Sequence, residues 1–584
     1  MKLILKTVIK PRILYLYEMR NFILLLAILT FVSSCKEALP KYTTTKANAI
    51  RLNQVGYYPQ ASKKAVITDT TQATTFYLVD QQTHESIFEG TLSEKYTWEL
   101  AGETVRIADF STFTSPGNYS VYIENIGYSY PFEIKEQVLS DAFTASVKSL
   151  YYQRASTALE AKHAGIWARN AGHPDIGVTF HPSTGREGTK DAPGGWYDAG
   201  DFGKYVINGA FPLGQMMTLY EQYPTVLPDA SLNIPESGND TPDILDEFKY
   251  ELDWLLTMQD DDGGVFFKLT TKRFTGMTLP EKGQEERFII GKGTAPSLDF
   301  AAVAAKGYRL FKEINPAYAN KCLASAKKAW EWSKSNPAIA FSNPEDIVTG
   351  EYGDGNFSEE WFWAATELSL STGEEEYETY FKQNPIKLNR YTGGSWTNYM
   401  KYIGAFALID QSKDVEFVNI LKNNIVQAAD QLVAITATND YFQPVTVFNW
   451  GSNSDVLNAA MIIAQAYRIT KKPEYLVAVQ EITDYVLGKN AIGYSFITGH
   501  GDKTPLHIHH RQSAGDGIET PVPGFISGGP NYSKQDRNDV TYPEQTFPMN
   551  SWVDQTPSYA SNEICLNWNS AAVYVLGFLE QESK

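Results

Sequence analysis

Cysteine is scarce, with three residues in 584, at positions 35, 322 and 565. Cys35 closes an apolar leader, so only Cys322 and Cys565 remain for the folded chain. Two cysteines so far apart build neither a disulfide framework nor a cysteine-rich zinc centre. Both lie in apolar, helix-like surroundings (NKCLASAKKAW and NEICLNWNSAAV), where buried, inert thiols are expected. Basic charge is also short. The chain has 50 Lys and Arg against 68 Asp and Glu, a net charge of −18. That balance excludes the basic surface nucleic acid requires and argues against polyanionic substrates. No repeat of fixed period runs along the chain, which disfavours a stacked solenoid. No HExxH and no Cys–His ligand spacing occurs, which removes the usual zinc-hydrolase signatures.

Long apolar runs are missing too. The longest, in MRNFILLLAILTFVSSC from Met19, is too short for a comfortable membrane span. It has the proportions of a secretory signal: basic Arg20, an apolar core, then small residues before Cys35. Val32-Ser33-Ser34-Cys35 is similar to a bacterial lipoprotein signal, in which the cysteine is lipidated after cleavage. The expectation is an envelope protein held at the outer membrane surface through Cys35, with a secreted or periplasmic protein as the alternative. Residues 1–35 read as leader with Met19 as the start, and the polar segment 36–48 reads as a tether.

What is present describes a folded, two-domain chain. Apolar residues make up 43% and charged residues 20%, and 584 residues exceed one ordinary core. From 49 to 135, short alternating runs (KKAVITD, TTFYLVD, ETVRIADF, GNYSVYIE) are punctuated by Gly, Pro, Asp and Asn, which predicts a small antiparallel sandwich. Near Leu139 the period changes to helical. Helical patterns follow at 205–222, 242–257, 298–313, 318–334, 357–371, 414–435, 453–469, 473–488 and 568–581. Thr241 reads as an N-cap with Pro242 at the first helical position. About a dozen helices joined by long loops rich in Gly, Pro and aromatics fit a closed ring of helical hairpins over 136–584, with working loops at one rim.

Three clusters carry chemistry. GGWYDAGDFGKY (194–205) sets Asp198 and Asp201 three positions apart among four glycines just ahead of a helix. Such a pair can hold a water between two carboxylates, kept ionised by the helix N-terminus, or bind a divalent cation, or cap the helix. GYSFITGHGDKTPLHIHHRQS (493–513) gathers four of the eight histidines beside Arg511. In an extended segment His509 and Arg511 share one face, suited to hydroxyl groups, and a solvated polar loop is the rival reading. In WVDQTPSYASNEICLNWNSAAV (552–573), Asp554 and Glu563 flank Tyr559. A glutamate beside an aromatic in an apolar pocket has a raised pKa and can donate a proton, although a glutamate near a helix start also serves the dipole. Aromatics reach 13%, and Trp196, Tyr197, Trp254, Trp450 and Tyr494 are candidate sugar-stacking surfaces.

Together, in this order, the three clusters resemble glycoside hydrolase family 9, the inverting cellulases. The histidine segment follows one family signature through Ser495, Ile497, Thr498, Gly501, Lys503, His509 and Arg511. The C-terminal segment follows another through Trp552, Asp554, Tyr559, Glu563, Asn569 and Ser570. Cys565 departs from it, standing where the family has Ser, Thr or Ala. IRLNQVGYYP and DFSTFTSPGNYSVYI resemble the immunoglobulin-like domain that precedes many of these enzymes. The resemblance implies an all-β immunoglobulin-like sandwich (49–135) followed by an all-α (α/α)6 barrel (136–584). It implies endo-hydrolysis of β-1,4-glucosidic bonds in cellulose, xyloglucan or mixed-linkage glucan, by inversion. Asp201 would be the general base, Asp198 would hold the water and Glu563 would be the general acid, with base and acid about 6.5–9.5 Å apart. His509, Arg511, Asp554, Tyr559, Trp196 and Tyr197 would bind or order the substrate.

No cofactor is implied. A structural calcium is left open, with the acids at Asp240, Asp243, Asp246 and Glu247 or at Asp260–Asp262 as candidates and no ligand assigned. The expected partner is a β-glucan polysaccharide or oligosaccharide met by a monomer. The rival readings are an exo-acting β-glucosidase or glucosaminidase of the same family and a non-catalytic glycan-binding lipoprotein.

Overall fold

The computed structural model describes residues 48–68 and 71–583. The leader, Cys35 and all of the tether but its last residue lie outside the described residues.

Alternation in the first hundred described residues becomes two facing sheets. One runs Ile50–Arg51, Lys64–Ile67, Glu103–Asp109, Tyr96–Trp98, and the other Gly56–Tyr57, Phe132–Ile134, Gly117–Ile123, Thr75–Asp80, Ser86–Thr91. Inward residues of both, among them Leu52, Phe76, Leu78, Phe110, Val121 and Ile134, form the core between them. This is an immunoglobulin-like sandwich.

Twelve helices of nine residues or more follow among the described residues: α1 (Ser140–Tyr152), α2 (Val206–Gln222), α3 (Asp243–Thr257), α4 (Thr294–Phe311), α5 (Pro316–Ser335), α6 (Ser358–Thr372), α7 (Glu375–Gln383), α8 (Met400–Gln411), α9 (Val415–Ala437), α10 (Ser452–Thr470), α11 (Pro473–Val486) and α12 (Leu566–Glu582). The even-numbered helices bury nearly every face, as interior helices do. Odd-numbered α5 and α9 bury one stripe at helical spacing, for example Ala319, Cys322, Ala326 and Trp330 on α5. Even helices pack in turn from α2 to α8 and from α10 through α12 back to α2, with α9 touching both α8 and α10. Each even helix pairs with an odd one outside, giving an (α/α)6 barrel. Cys322 and Cys565 are both free and buried.

Three local features differ from the sequence reading. Helices α7 and α8 escape the periodicity argument, because α7 buries only Tyr377 and Phe381 while α8 is apolar on all sides. Thr241 is not a cap, since α3 starts at Asp243 after Pro242 without a side-chain cap. The rim also carries a five-stranded sheet: Thr189–Lys190, Val178–Phe180, Arg287–Gly293, Val265–Thr271, Lys204–Tyr205. Its last strand leads straight out of the Asp198–Asp201 loop, so the sheet fixes that loop's exit.

The sandwich is docked on the barrel by polar contacts. Arg51 bonds Glu103 at 2.7 Å and the Tyr441 hydroxyl at 3.0 Å. Gln54 donates to the Gly493 carbonyl and accepts from the Lys503 amide, pinning both ends of the turn that leads to the histidine segment.

Candidate active site

The loop 194–203 is held from behind by groups that take up its carbonyls. Gly194 and Gly195 adopt φ of +80° and +74°, and a Cβ on Gly195 would lie 2.7 Å from the Trp254 ring. Lys204 Nζ donates to the carbonyls of Ala192 (3.0 Å) and Gly194 (2.8 Å) and pairs with Asp175 at 2.7 Å. Arg287, also paired with Asp175, donates to the Phe202 carbonyl at 2.7 Å. Trp196 is 1% exposed, with its amide on Glu251 and its indole N–H on Glu247. Tyr197 is 2% exposed, shares a hydrogen bond with His173 Nδ1 at 2.8 Å and packs on Phe202. Neither ring can reach a sugar. The expectation of stacking at Trp196 and Tyr197 is therefore corrected: both are core supports of the loop, as is Trp254 beneath it.

The two aspartates take different partners. Asp198, 2% exposed, accepts from Asn208 Nδ2 and from the Tyr352 hydroxyl, both at 2.6 Å. Asp201, 7% exposed, accepts from the Gly203 amide at 2.9 Å through Oδ2. Helix α2 begins at Val206, beyond a strand, and meets the pair through the Asn208 side chain of its first turn. Burial and then the Asp201 charge push the Asp198 carboxyl up from the ordinary range, against its two hydrogen bonds. Each carboxyl therefore acts on the other, and Asp198 is not simply kept ionised by the helix.

Glu563 is brought to the same place by backbone pairing. Ala199 bridges Cys565 antiparallel, His509 bridges Glu563 in parallel, and the Leu566 amide donates to the Asp198 carbonyl at 2.9 Å. Gly200 sits where these segments meet, and its amide bonds the half-buried Glu563 carboxyl. Burial raises the Glu563 pKa well above its usual value, and Asp201 and Asp198 raise it further. Arg511 and the Gly200 amide oppose the shift. The result is a protonated glutamic acid beside an aspartate pair, the division of labour that acid–base hydrolysis of an acetal uses.

The histidine segment divides in two. His509 donates from Nδ1 to the Thr556 carbonyl at 2.8 Å, leaving Nε2 as an acceptor in the neutral ring. Burial, with Arg511 next, pushes its pKa down to about 4. His510 is buried, bonded to Ser513 and Gln153, and turned away. Arg511 is only 5% exposed and donates to the carbonyls of Thr275 (2.7 Å) and Gly200 (2.8 Å). The expected contact between Arg511 and a sugar hydroxyl is corrected accordingly: its guanidinium braces the loop and faces the acid. Asp554 accepts from the amides of Leu506 and His507 and from Asn562, next to Glu563. Tyr559 lies between His509 and Trp450, its ring 5.4 Å from the latter, and Trp450 is 44% exposed. Tyr494 packs on Trp552. Among the five aromatic candidates, Trp450 alone combines exposure with a place beside the segments that carry His509 and Glu563.

Tyr352 and Asn208, the partners of Asp198, went unread in the sequence. Asn208 lies seven residues after Asp201, inside α2, and Tyr352 sits in GEYGDG, where neither position has a pattern of its own.

Most of the acids considered for a cation are taken by protein groups. Asp243 accepts from Ala230, Leu232 and Ser237, and Asp246 from Asn239. Glu247 pairs with Arg154, and Asp260 with Arg186 and Lys292. A different cluster fits. Asp354, Glu359 and Glu360 bring carboxylate oxygens within 4.8 Å of one another. They line or adjoin a cavity of about 670 Å³. Asp354 Oδ2, Glu359 Oε2 and both oxygens of Glu360 are buried without a hydrogen-bond partner, as are those of neighbouring Asp299.

Comparison with known proteins agrees with this geometry. The glycosyl hydrolase family 9 model matches residues 140–576, and the cellulase N-terminal ig-like domain matches residues 45–128. A xyloglucan-specific endo-beta-1,4-glucanase of Bacteroides ovatus is 38% identical over 573 residues, covering 93% of this chain and 95% of its own. Endoglucanase D of Acetivibrio thermocellus is 34% identical over 543 residues, covering 91% and 84%. A solved Bacteroides ovatus family 9 structure superposes with a TM-score of 0.85 at 37% identity, covering 92% of this chain and all of the other. The chain belongs to glycosyl hydrolase family 9, with an immunoglobulin-like domain ahead of its barrel.

Proposed function

We propose that this chain is an endo-β-1,4-glucanase that hydrolyses internal bonds of a glucan by a single inverting displacement. The observation that carries the reading is the opposition of Glu563 to the Asp198–Asp201 pair across Gly200, with the glutamic acid held protonated by burial and by the aspartate charges. Glu563 gives its proton to the departing glycosidic oxygen. Asp201 takes a proton from the attacking water, and Asp198, tied to Asn208 and Tyr352, fixes that water's second contact. His509 Nε2 accepts from a sugar hydroxyl, and Trp450 with Tyr559 offers the apolar face on which a ring stacks. Two carboxyl groups and water suffice, so no cofactor takes part.

The relative named for xyloglucan, similar over nearly its whole length, supports a branched β-1,4-glucan as substrate. The chain acts as a monomer, and it is anchored at the outer membrane surface through Cys35, the anchor being supported by the VSSC sequence. Calcium is the structural ion, held by Asp354, Glu359 and Glu360. Oxygen-only ligands and unpartnered buried carboxylates suit a hard divalent cation, whose part is to tie α6 to the loop before it.

The test is a digest of xyloglucan, mixed-linkage glucan and cellulose, read by product length and by NMR of the newborn anomer. Mixed oligomers of α configuration are expected. Monosaccharide alone, or products of retained β configuration, would refute the reading.

A further inference from the structure

Gly203 has an ordinary negative φ, so its backbone does not require glycine. Space does. A Cβ there would lie 2.7 Å from the Tyr205 hydroxyl and 2.8 Å from Asp201 Oδ2, so both oxygens border the same point. The Tyr205 hydroxyl is buried in a residue 2% exposed and makes no hydrogen bond of good geometry, with the Thr349 and Thr270 hydroxyls as its polar neighbours. A buried hydroxyl without a well-formed hydrogen bond is costly to keep. Its ring is nevertheless firmly seated. Tyr205 pairs across the strands with Lys268, whose Nζ stands 5.5 Å from the ring centre and is fixed by Asn343 (2.6 Å), Thr349 (3.3 Å) and the Gly350 carbonyl (2.7 Å). The Tyr352 ring meets its edge at 4.9 Å.

We propose that Tyr205 is a positioning residue for the general base: its hydroxyl donates to the Asp201 carboxylate as substrate fills the groove. The inference rests on the reading of Asp201 as base. Hydrogen bonds of catalytic groups are often long without substrate and tighten on binding. A donor at Oδ2, beside the Gly203 amide already there, favours the carboxylate form and leaves Oδ1 for water, since Oδ1 takes no protein hydrogen bond among the described residues. Gly203 is the space that permits the approach. The charges that reach Asp201 are Asp198 in the same loop, Glu563 on the C-terminal segment and Lys268 on the neighbouring strand. Tyr205→Phe alters none of them.

The experiment compares Tyr205→Phe, Gly203→Ala and Asp201→Asn with the wild-type chain in kcat, KM, pH profile and melting temperature. For Tyr205→Phe, kcat falls about tenfold with KM unchanged, and the acid limb of kcat/KM moves up by roughly one pH unit, the size of one lost hydrogen bond to a charge. Its melting temperature stays level or rises, because the hydroxyl gives up no well-formed hydrogen bond; a residue kept for stability would show the reverse. Gly203→Ala lowers kcat with KM retained. Wild-type kcat and an unmoved acid limb in Tyr205→Phe, while Asp201→Asn is inactive, overturn the role of Tyr205 alone. An active Asp201→Asn overturns the base assignment and this inference with it.

Discussion

Ala199 and Cys565, from opposite ends of the barrel sequence, pair as an isolated antiparallel bridge. That pairing lays the aspartate loop alongside the glutamate segment and leaves Gly200 between Asp201 and Glu563. Cys565 Sγ also accepts from Asn208 Nδ2 at 3.2 Å, so the one departure from the family signature takes part in holding Asp198. The thiol's size and weak polarity suffice for that.

Gly200 is therefore the residue least able to change. A Cβ there would lie 2.0 Å from the His509 carbonyl oxygen and 3.1 Å from Glu563 Oε1. Gly200→Ala must part the two segments, moving base and acid relative to each other. A shift on the order of 1 Å costs roughly 10²-fold in rate. The expected result is a folded protein with kcat reduced by about that factor, checked by circular dichroism and initial rates on a soluble β-glucan.

Glu563→Gln separates acid from base. With a polysaccharide, whose leaving group needs a proton, turnover falls roughly 10²–10⁴-fold. With a dinitrophenyl β-cellobioside, whose leaving group needs none, most of the rate returns. The pH profile follows from the raised pKa of Glu563. The working form is protonated, so activity persists above the ordinary carboxylate range and fails as pH rises through the folded-state value. That alkaline limb is absent from the Gln variant assayed on the activated substrate. An alkaline limb identical in both proteins would assign it to another group.

How much of this was legible in the sequence varies with the physics of each part. The alternating strands and the helices with one buried stripe, such as α5 around Cys322 and Trp330, show themselves by period. Helix α8 does not, because a segment buried on every face has no preferred side. The aspartate loop was readable because glycines and acids are dense there. The roles of Trp196, Tyr197 and Arg511 were not, since a motif names residues without saying which way they point. All three turn inward, where their polar atoms meet Glu247, His173 and the Gly200 carbonyl. The five-stranded sheet was hidden because its pairs join residues far apart in the chain, such as Thr179 with Phe288.

The inward turn of Trp196 and the outward face of Trp450 predict opposite phenotypes. Trp450→Ala removes an exposed ring beside Tyr559 and raises KM roughly tenfold for long glucans, about 1.4 kcal/mol, with the melting temperature unchanged. Trp196→Phe strips a donor from buried Glu247 and costs about 1–3 kcal/mol of stability. KM is kept in the molecules that remain folded. Isothermal melts and Michaelis–Menten curves on both variants check the pair. A KM effect at Trp196 with no loss of stability would restore it to the groove.

Chelation tests the cluster at Asp354, Glu359 and Glu360. Their partnerless oxygens, with those of Asp299 close by, put several unpaired acceptors in one buried place. A bound cation relieves that mutual repulsion only in the folded chain, so calcium adds stability by RT ln(1 + [L]/Kd), about 2.7 kcal/mol at a hundredfold excess over Kd. EGTA should lower the melting temperature, and added calcium should restore it. Glu360→Gln should abolish the response. The same substitution should also make the calcium-free protein more stable than the wild type without calcium, because the amide brings a donor to neighbouring acceptors that have none. A cluster with a purely packing role predicts the contrary on both counts: no effect of EGTA, and a Gln variant that melts earlier.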